Sequence, residues 1–418
     1  MDRKFPLHNR LGLHYPAGQA NFRSVDLQAW KPILAQIGAG WLILQAEPSR
    51  AIPEGFIRGL IESGVQPVLH IKPALDPMPV LQEMDLLLNA YAKWGLRYVV
   101  FFDRPNTRSS WPSSGWTQNE LVERFLDRFL PLAEIAWQAG ISPIFPPLEP
   151  GGSYWDTAFL RSALTTMQRR KPELVRGGLA LSAYAWTHGR SLDWGAGGPE
   201  RWPAARPYLT PAGSQDQRGF RIFDWYRAVT QAVLGMDLPL LLLESGSPVS
   251  QAVDEAGAEL IARLLAQQVV ADPADPENTL DPLPDCVFAA ALNLPGNPQD
   301  ESFLAITAAL QKVRGETLAK AAPLGLNGSH PIQHYLLLPC FEWGVSEWHL
   351  DAIKPFVRKY KPAVGFSMEE AALAATVTVI GNEHEIPESA LNQLRQAGSQ
   401  VERIEARGTS LATLLAER

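Results

Sequence analysis

The sequence is poor in cysteine. The two present, Cys286 and Cys340, cannot form a disulfide framework or a thiolate zinc site, so the fold must rest on its core. A basic surplus is also missing. Thirty-seven Lys and Arg against 44 Asp and Glu leave a formal charge of −7, the wrong sign for a nucleic-acid footprint, so no nucleic-acid partner is expected. Apolar runs such as 238–243 fall far short of the ~20 residues that span a bilayer, so no membrane span is expected. The opening Met1-Asp2-Arg3-Lys4-Phe5-Pro6 shows no apolar signal segment, which points to the cytoplasm. No Gly-x-x-x-x-Gly-Lys-Ser/Thr loop, Gly-x-Ser-x-Gly elbow, His-x-His pair or His-Glu-x-x-His pair occurs, so neither a cofactor nor a resident metal is expected. What is present is apolar residue in quantity, 46%, spread over 418 residues. That suffices for two to three domains, or for one large barrel with an appendage.

Short apolar runs recur at residues 11–15, 41–47, 66–72, 97–103, 142–148, 178–184, 239–244 and 286–294. Helix-period segments separate them, for example 25–37, 78–94, 119–138, 220–234 and 256–270, with apolar residues three and four apart. Gly38, Gly64, Gly95 and Gly140 fall where helix C-caps belong. Strands apolar on both faces that alternate with helices form a parallel sheet covered by helices. Eight such units predict an α/β fold, a (β/α)8 barrel over residues 1–314. An open doubly wound sheet is the rival. If it bound a dinucleotide it would show a glycine-rich first turn, whereas the first run ends Leu13-His14-Tyr15-Pro16. Residues 315–330 read as a linker. Residues 331–418 read as a small α/β domain, with strands at 335–339, 377–381 and 401–404 and helices at 348–360 and 387–397.

In a (β/α)8 barrel the working face lies at the carboxyl ends of the strands. The run ends place His14, Tyr15, Glu47, His70, Lys72, Asp103, Arg104, Glu149, Tyr184, Trp186, His188, Glu244 and Asn293 there. Glu244 closes Leu240-Leu241-Leu242-Leu243-Glu244-Ser245-Gly246, a carboxylate at the barrel mouth where burial tunes its proton affinity. Thirteen tryptophans are a heavy load. Trp111, Trp116, Trp155, Trp194 and Trp202 fall in loops beyond the strands. Indole faces there suit the flat C–H faces of sugars, although any one of them can equally be packing.

The order of strand ends resembles the large clan of retaining glycoside hydrolases built on (β/α)8 barrels. Phe102-Asp103-Arg104-Pro105-Asn106 stands where that clan carries its strand-four Asn-Glu-Pro motif, and Leu242-Leu243-Glu244-Ser245-Gly246 matches the strand-seven motif. Phe145–Gly152 and Ala183–Trp186 are similar to its strands five and six. The resemblance implies an oligo- or polysaccharide ligand, Glu244 as nucleophile, and Arg104, Asn106, His14, His70, Tyr184, Trp186, Trp111 and Trp155 as substrate-binding residues. It also exposes a departure. Arg104 occupies the acid/base position, and Ser182 stands where a His is common. Arginine does not donate its proton near neutral pH, and retention needs two carboxyl groups about 5–5.5 Å apart. Asp103 and Glu149 are the remaining candidate acids. An Arg104–Glu244 ion pair or water-bridged pair across the mouth is expected on this register.

Four readings stand at this point, the last being a structural or interaction protein whose barrel takes no ligand. A saccharide-binding barrel impaired as a hydrolase comes first. An active retaining glycosidase using Glu244 comes second. Third is a metal-dependent sugar isomerase or hydrolase, its ion gathered by His14, Glu47, His70, Asp103 and Glu244. The C-terminal stretch Val377-Thr378-Val379-Ile380-Gly381, Ile386-Pro387, Leu394, Gly398 and Val401-Glu402-Arg403-Ile404 resembles one copy of the second type of cell-wall-binding repeat. That resemblance implies a cell-envelope polymer as partner and an envelope-associated location as the alternative to the cytoplasm.

Overall fold

A computed structural model describes residues 9–16, 22–248, 250–273, 275–295, 298–321, 330, 332–339, 347–383, 385–396, 398–405 and 413–414. Cys340 lies outside these. The chain forms two compact units, residues 1–315 and 316–418.

The first unit is a closed barrel. Its strands are β1 (Leu11–His14), β2 (Trp41–Ala46), β3 (Gln66–Ile71), β4 (Tyr98–Phe101), β5 (Ser142–Phe145), β6 (Ala180–Trp186) and β7 (Leu240–Gly246). A hairpin of β8 (Val270–Asp272) and β9 (Asp275–Leu280) then precedes the closing strand, β10 (Val287–Leu292). The ring runs β1-β10-β7-β6-β5-β4-β3-β2, every neighbour parallel. This is the expected (β/α)8 fold. The eight apolar runs are its eight strands, and the hairpin was not foreseen. The helix expected over 256–270 stops at Leu265, with the hairpin beginning at Val270.

Two-faced hydrophobicity is explained by where each face goes. On β2, Trp41 and Ile43 point into the barrel, while Leu42 and Leu44 pack against the outer helices. The helices answer with matching stripes. In Ser24–Ile37 the buried residues are Leu27, Trp30, Leu34 and Ile37, at spacings of three and four. That helix ends on Gly38 at φ +72°, a left-handed cap for which glycine carries no Cβ penalty. The lower end of the barrel is plugged by aromatic rings at the starts of strands. Trp41 lies 5.1 Å from both Tyr98 and Phe288 by ring centroids. The interior is therefore packed, and any ligand must enter from the opposite end.

The last barrel helix, Glu301–Ala321, continues through residues 315–321, so the first part of the stretch read as a linker is helical. The second unit is a four-stranded parallel sheet in the order β12-β11-β13-β14, formed by β11 (Ile332–Leu337), β12 (Ala363–Gly365), β13 (Ala374–Ile380) and β14 (Gln400–Ile404). Alternate residues of β11 enter separate cores. Tyr335 and Leu337 join Leu391 and Leu394 of helix Glu388–Gln396, and Leu336 joins Ile353 and Phe356 of helix Glu347–Tyr360. The sheet is thus covered on both faces, as expected for a small α/β layer domain.

Replacing Trp41 by Ala is expected to lower the unfolding free energy by about 3–5 kcal/mol in a urea titration, because the void opens beneath rings with no room to collapse.

Candidate active site

Glu244 reaches the barrel mouth through a break in the strand pattern. Along β7, Leu241 and Leu243 belong to the barrel interior, and Leu240 and Leu242 face the helices. Strict alternation would send Glu244 outward with Leu240 and Leu242. A β-bulge prevents this. Ala183 and Tyr184 are consecutive on β6, yet they pair with Leu242 and Glu244 on β7, so Leu243 is the additional residue. Tyr184 is part of the interior cluster, and Glu244 beside it turns inward. The bulged backbone is held from the next-but-one strand, β1, by His14 Nε2, 2.6 Å from the Leu243 carbonyl oxygen.

At the mouth Glu244 accepts a hydrogen bond from Trp186 Nε1 at 2.8 Å. The Trp186 ring stacks on Tyr184, centroids 4.6 Å apart and planes 11° from parallel. Tyr184 donates its hydroxyl proton to Asp103 Oδ1 at 2.6 Å. Burial, and after it the charges of Asp103 and Glu244, push the Tyr184 phenol well above its ordinary value, so it stays a donor. Asp103 also faces Lys72 Nζ at 3.5 Å and Arg104 Nε at 3.4 Å. Burial alone would raise its pKa. Lys72, His70, the Tyr184 hydroxyl and Arg104 together outweigh that and hold it below the usual carboxylate range. Asp103 is therefore an ionised acceptor at neutral pH and a poor proton donor.

Arg104 does not bridge to Glu244. Its guanidinium pairs with Asp103 and, through Nη1 at 3.3 Å, with Glu149 Oε2. The expected Arg104–Glu244 pair is thus replaced by an Arg104–Glu149 pair. The cause is local. Arg104 has φ +46°, two residues after Phe102 at φ +67°, and these turns carry its side chain toward the strand-five loop. Asn106 then clamps that loop. It is fully buried, with Nδ2 donating to the Glu149 and Tyr154 carbonyls, both at 2.9 Å, and Oδ1 accepting from Glu149 N–H at 2.8 Å. Gly152 is required for this approach, since a Cβ there would lie 2.6 Å from Asn106 Nδ2. Asn106 therefore acts on loop shape, with its amide fully committed inside the protein.

The other residues expected at the site divide. His14 and His70 do stand at the mouth. His70 Nε2 lies 2.9 Å from the Phe102 carbonyl. Burial first, and nearby Lys72, lower His70 to about 3; burial lowers His14 to about 4. Both rings are neutral, and an Nε2–H given to a carbonyl leaves Nδ1 as the acceptor. Trp111 is packed away. Its Nε1 donates to the Pro105 carbonyl at 2.7 Å, and the guanidinium groups of Arg124 and Arg128 lie 5.0 and 5.4 Å from its ring. Trp155 is buried too, with Arg218 over it at 5.4 Å. Trp194 and Trp202 likewise carry Arg190 and Arg201. Glu47 lines a cavity of about 510 Å³ with His70 and Lys72. A metal would need Glu47, His14, His70, Asp103 and Glu244 to converge, and among the described residues no such group of three or more forms.

Asp156 is a buried carboxyl beside the strand-five loop that the sequence did not single out. It is completely buried behind the strand-five loop, accepting from Gly151 N–H at 2.9 Å, Gln217 Nε2 at 2.6 Å and Tyr226 Oη at 3.3 Å. Nothing in the run Trp155-Asp156-Thr157 marks it, because its partners are distant in sequence.

No family model matches the chain, and no curated protein matches it. Solved structures similar to it include a β-xylosidase from Caulobacter crescentus, 12% identical over 75% of this chain and 68% of that one, at a TM-score of 0.44. Another is a GH39 enzyme from Xanthomonas axonopodis pv. citri, 12% identical over 75% and 67%, TM-score 0.42. A third is a fructose-bisphosphate aldolase from Plasmodium falciparum, 12% identical over 74% and 89%, TM-score 0.39. The chemistries of these barrels differ, and no activity of this chain follows from the likeness.

Burial first, against the opposing hydrogen bonds from Gly151, Gln217 and Tyr226, raises Asp156 from its ordinary 3.8 to about 6. The native state therefore holds this proton more tightly than the unfolded chain. The stabilisation is full below about pH 4 and is lost as pH rises through about 6. Asp156→Asn removes that dependence. Its stability relative to the parent should climb by up to about 3 kcal/mol between pH 4 and pH 7 in paired urea titrations. Parallel pH curves for the two proteins would refute the assignment.

Proposed function

We propose that the barrel mouth binds an oligo- or polysaccharide and that retaining hydrolysis is disabled there by Arg104. One observation carries the reading. Glu244, for which the resemblance implies a nucleophile's role, is turned inward and held by Trp186, while Arg104, which the resemblance sets at the acid/base position, is a guanidinium tied to Asp103 and Glu149. A retaining mechanism needs a proton donor about 5–5.5 Å from the nucleophile. Asp103 is held ionised, and the Glu149 carboxylate is paired with the Arg104 guanidinium. The remaining groups suit binding. A carboxylate, two neutral imidazoles, and the Tyr184–Trp186 stack supply acceptors and an aromatic wall for hydroxyl-rich rings.

For the second unit, attachment to a cell-envelope polymer rests on the resemblance over residues 377–404 alone. Co-sedimentation of the full chain with purified bacterial cell walls is the direct assay for it.

The main proposal is tested with a panel of aryl glycosides and matching oligosaccharides. The parent chain should bind at least one oligosaccharide by calorimetry and release no more aryl leaving group than Glu244→Gln. Arg104→Glu, which supplies the missing acid, should gain turnover that a second substitution, Glu244→Gln, abolishes. Parental turnover that falls by about a hundredfold or more in Glu244→Gln would instead establish an active glycosidase.

A further inference from the structure

We propose that the cavity beside β2 and β3 receives an anionic substituent of the saccharide, a uronic-acid carboxylate or a sulfate ester. The proposal rests on the saccharide reading above and specifies its ligand.

The cavity, about 510 Å³, opens off the ends of β2 and β3 and shares His70 and Lys72 with the mouth. Its charged lining is lopsided. Among the described residues, Arg23, Arg50 and Lys72 line it with a single carboxylate, Glu47, in a chain whose overall charge is −7. Asp26 and Asp103, the acids paired with Arg23 and Lys72, are not among the described lining residues. Asp26 receives Arg23 Nε and Nη2, both at 2.9 Å, and Asp103 lies 3.5 Å from Lys72. That pairing uses two of the five N–H donors of Arg23 and fixes the guanidinium in place. The described charged lining is therefore mainly cationic, which suits an entering anion. A carboxylate or sulfate is planar or tripodal in its oxygens and matches a guanidinium fork better than a single hydroxyl does.

The rest of the lining fits the ring that would carry such a group. Phe22, Ile52 and Pro53 give an apolar wall. Phe22 is anchored from behind by Tyr15 at 5.5 Å and Phe56 at 5.2 Å, so its position is set without a ligand. Gln45 and the neutral His70 add hydrogen-bonding groups suited to sugar hydroxyls. An apolar wall, uncharged polar groups and a cationic edge together describe a site for an acidic sugar, and they exclude an all-apolar ligand.

Calorimetry with the full chain tests this, using hexagalacturonate, a sulfated heparin hexasaccharide, xylohexaose and cellohexaose. At low salt one of the two anionic probes should bind about tenfold or more tighter than either neutral one, and physiological salt should shrink that ratio. Which anionic probe wins separates carboxylate from sulfate. The double substitution Arg23→Gln with Arg50→Gln should bring the anionic-to-neutral ratio close to one. Equal binding of neutral and anionic probes by the parent overturns this inference and leaves the saccharide reading standing. An anionic preference that survives the double substitution overturns the assignment to this cavity. Failure of all four probes to bind removes the saccharide reading and this proposal with it.

Discussion

The mouth of this barrel is organised by a single additional residue. Leu243 interrupts the pairing of β7 with β6, and with it the two-residue alternation of the strand. Every contact made by Glu244 follows from that displacement. Without it the carboxylate would face the helical layer, where a buried charge is costly unless paired, and Trp186 would have lost its acceptor. The His14 ring secures the displaced peptide from β1, reaching past the intervening β10 and linking the first and seventh strands through one hydrogen bond. Bulges next to functional groups commonly re-aim a side chain in this way.

Charge at the mouth is arranged as a chain rather than as isolated pairs. Glu244, Trp186, Tyr184 and Asp103 are joined by hydrogen bonds and ring stacking, and Lys72, Arg104 and Glu149 extend the series. Each carboxylate in it has a donor or a cation at hand. This layout makes the members interdependent, because removing one leaves its neighbour uncompensated in a low-dielectric setting.

The barrel was legible in the sequence because its signal is collective. Eight apolar runs with helical stripes between them leave few alternatives, and the position of Glu244 after four leucines marked a strand end. The finer placements were not legible, for identifiable reasons. Alternation along Leu240–Leu243 gives no hint of a bulge, since every residue there is leucine. The sequence put Arg104 just beyond the fourth strand, but its partner depended on two backbone turns at Phe102 and Arg104. Loop tryptophans look alike in a sequence whether they meet sugar or arginine, and Trp111 meets Arg124 and Arg128. Asn106 and Asp156 owe their roles to partners more than forty positions away, such as Tyr154 and Gln217.

The two positive-φ residues in the strand-four turn carry a further consequence. Neither Phe102 nor Arg104 is suited to that conformation, and each costs on the order of 1–3 kcal/mol to hold. What holds the segment is its neighbour: Arg104 N–H donates to the Pro147 carbonyl at 3.0 Å and Asn106 ties the same turn to Glu149, so the cost of the turn is borne by the strand-five loop.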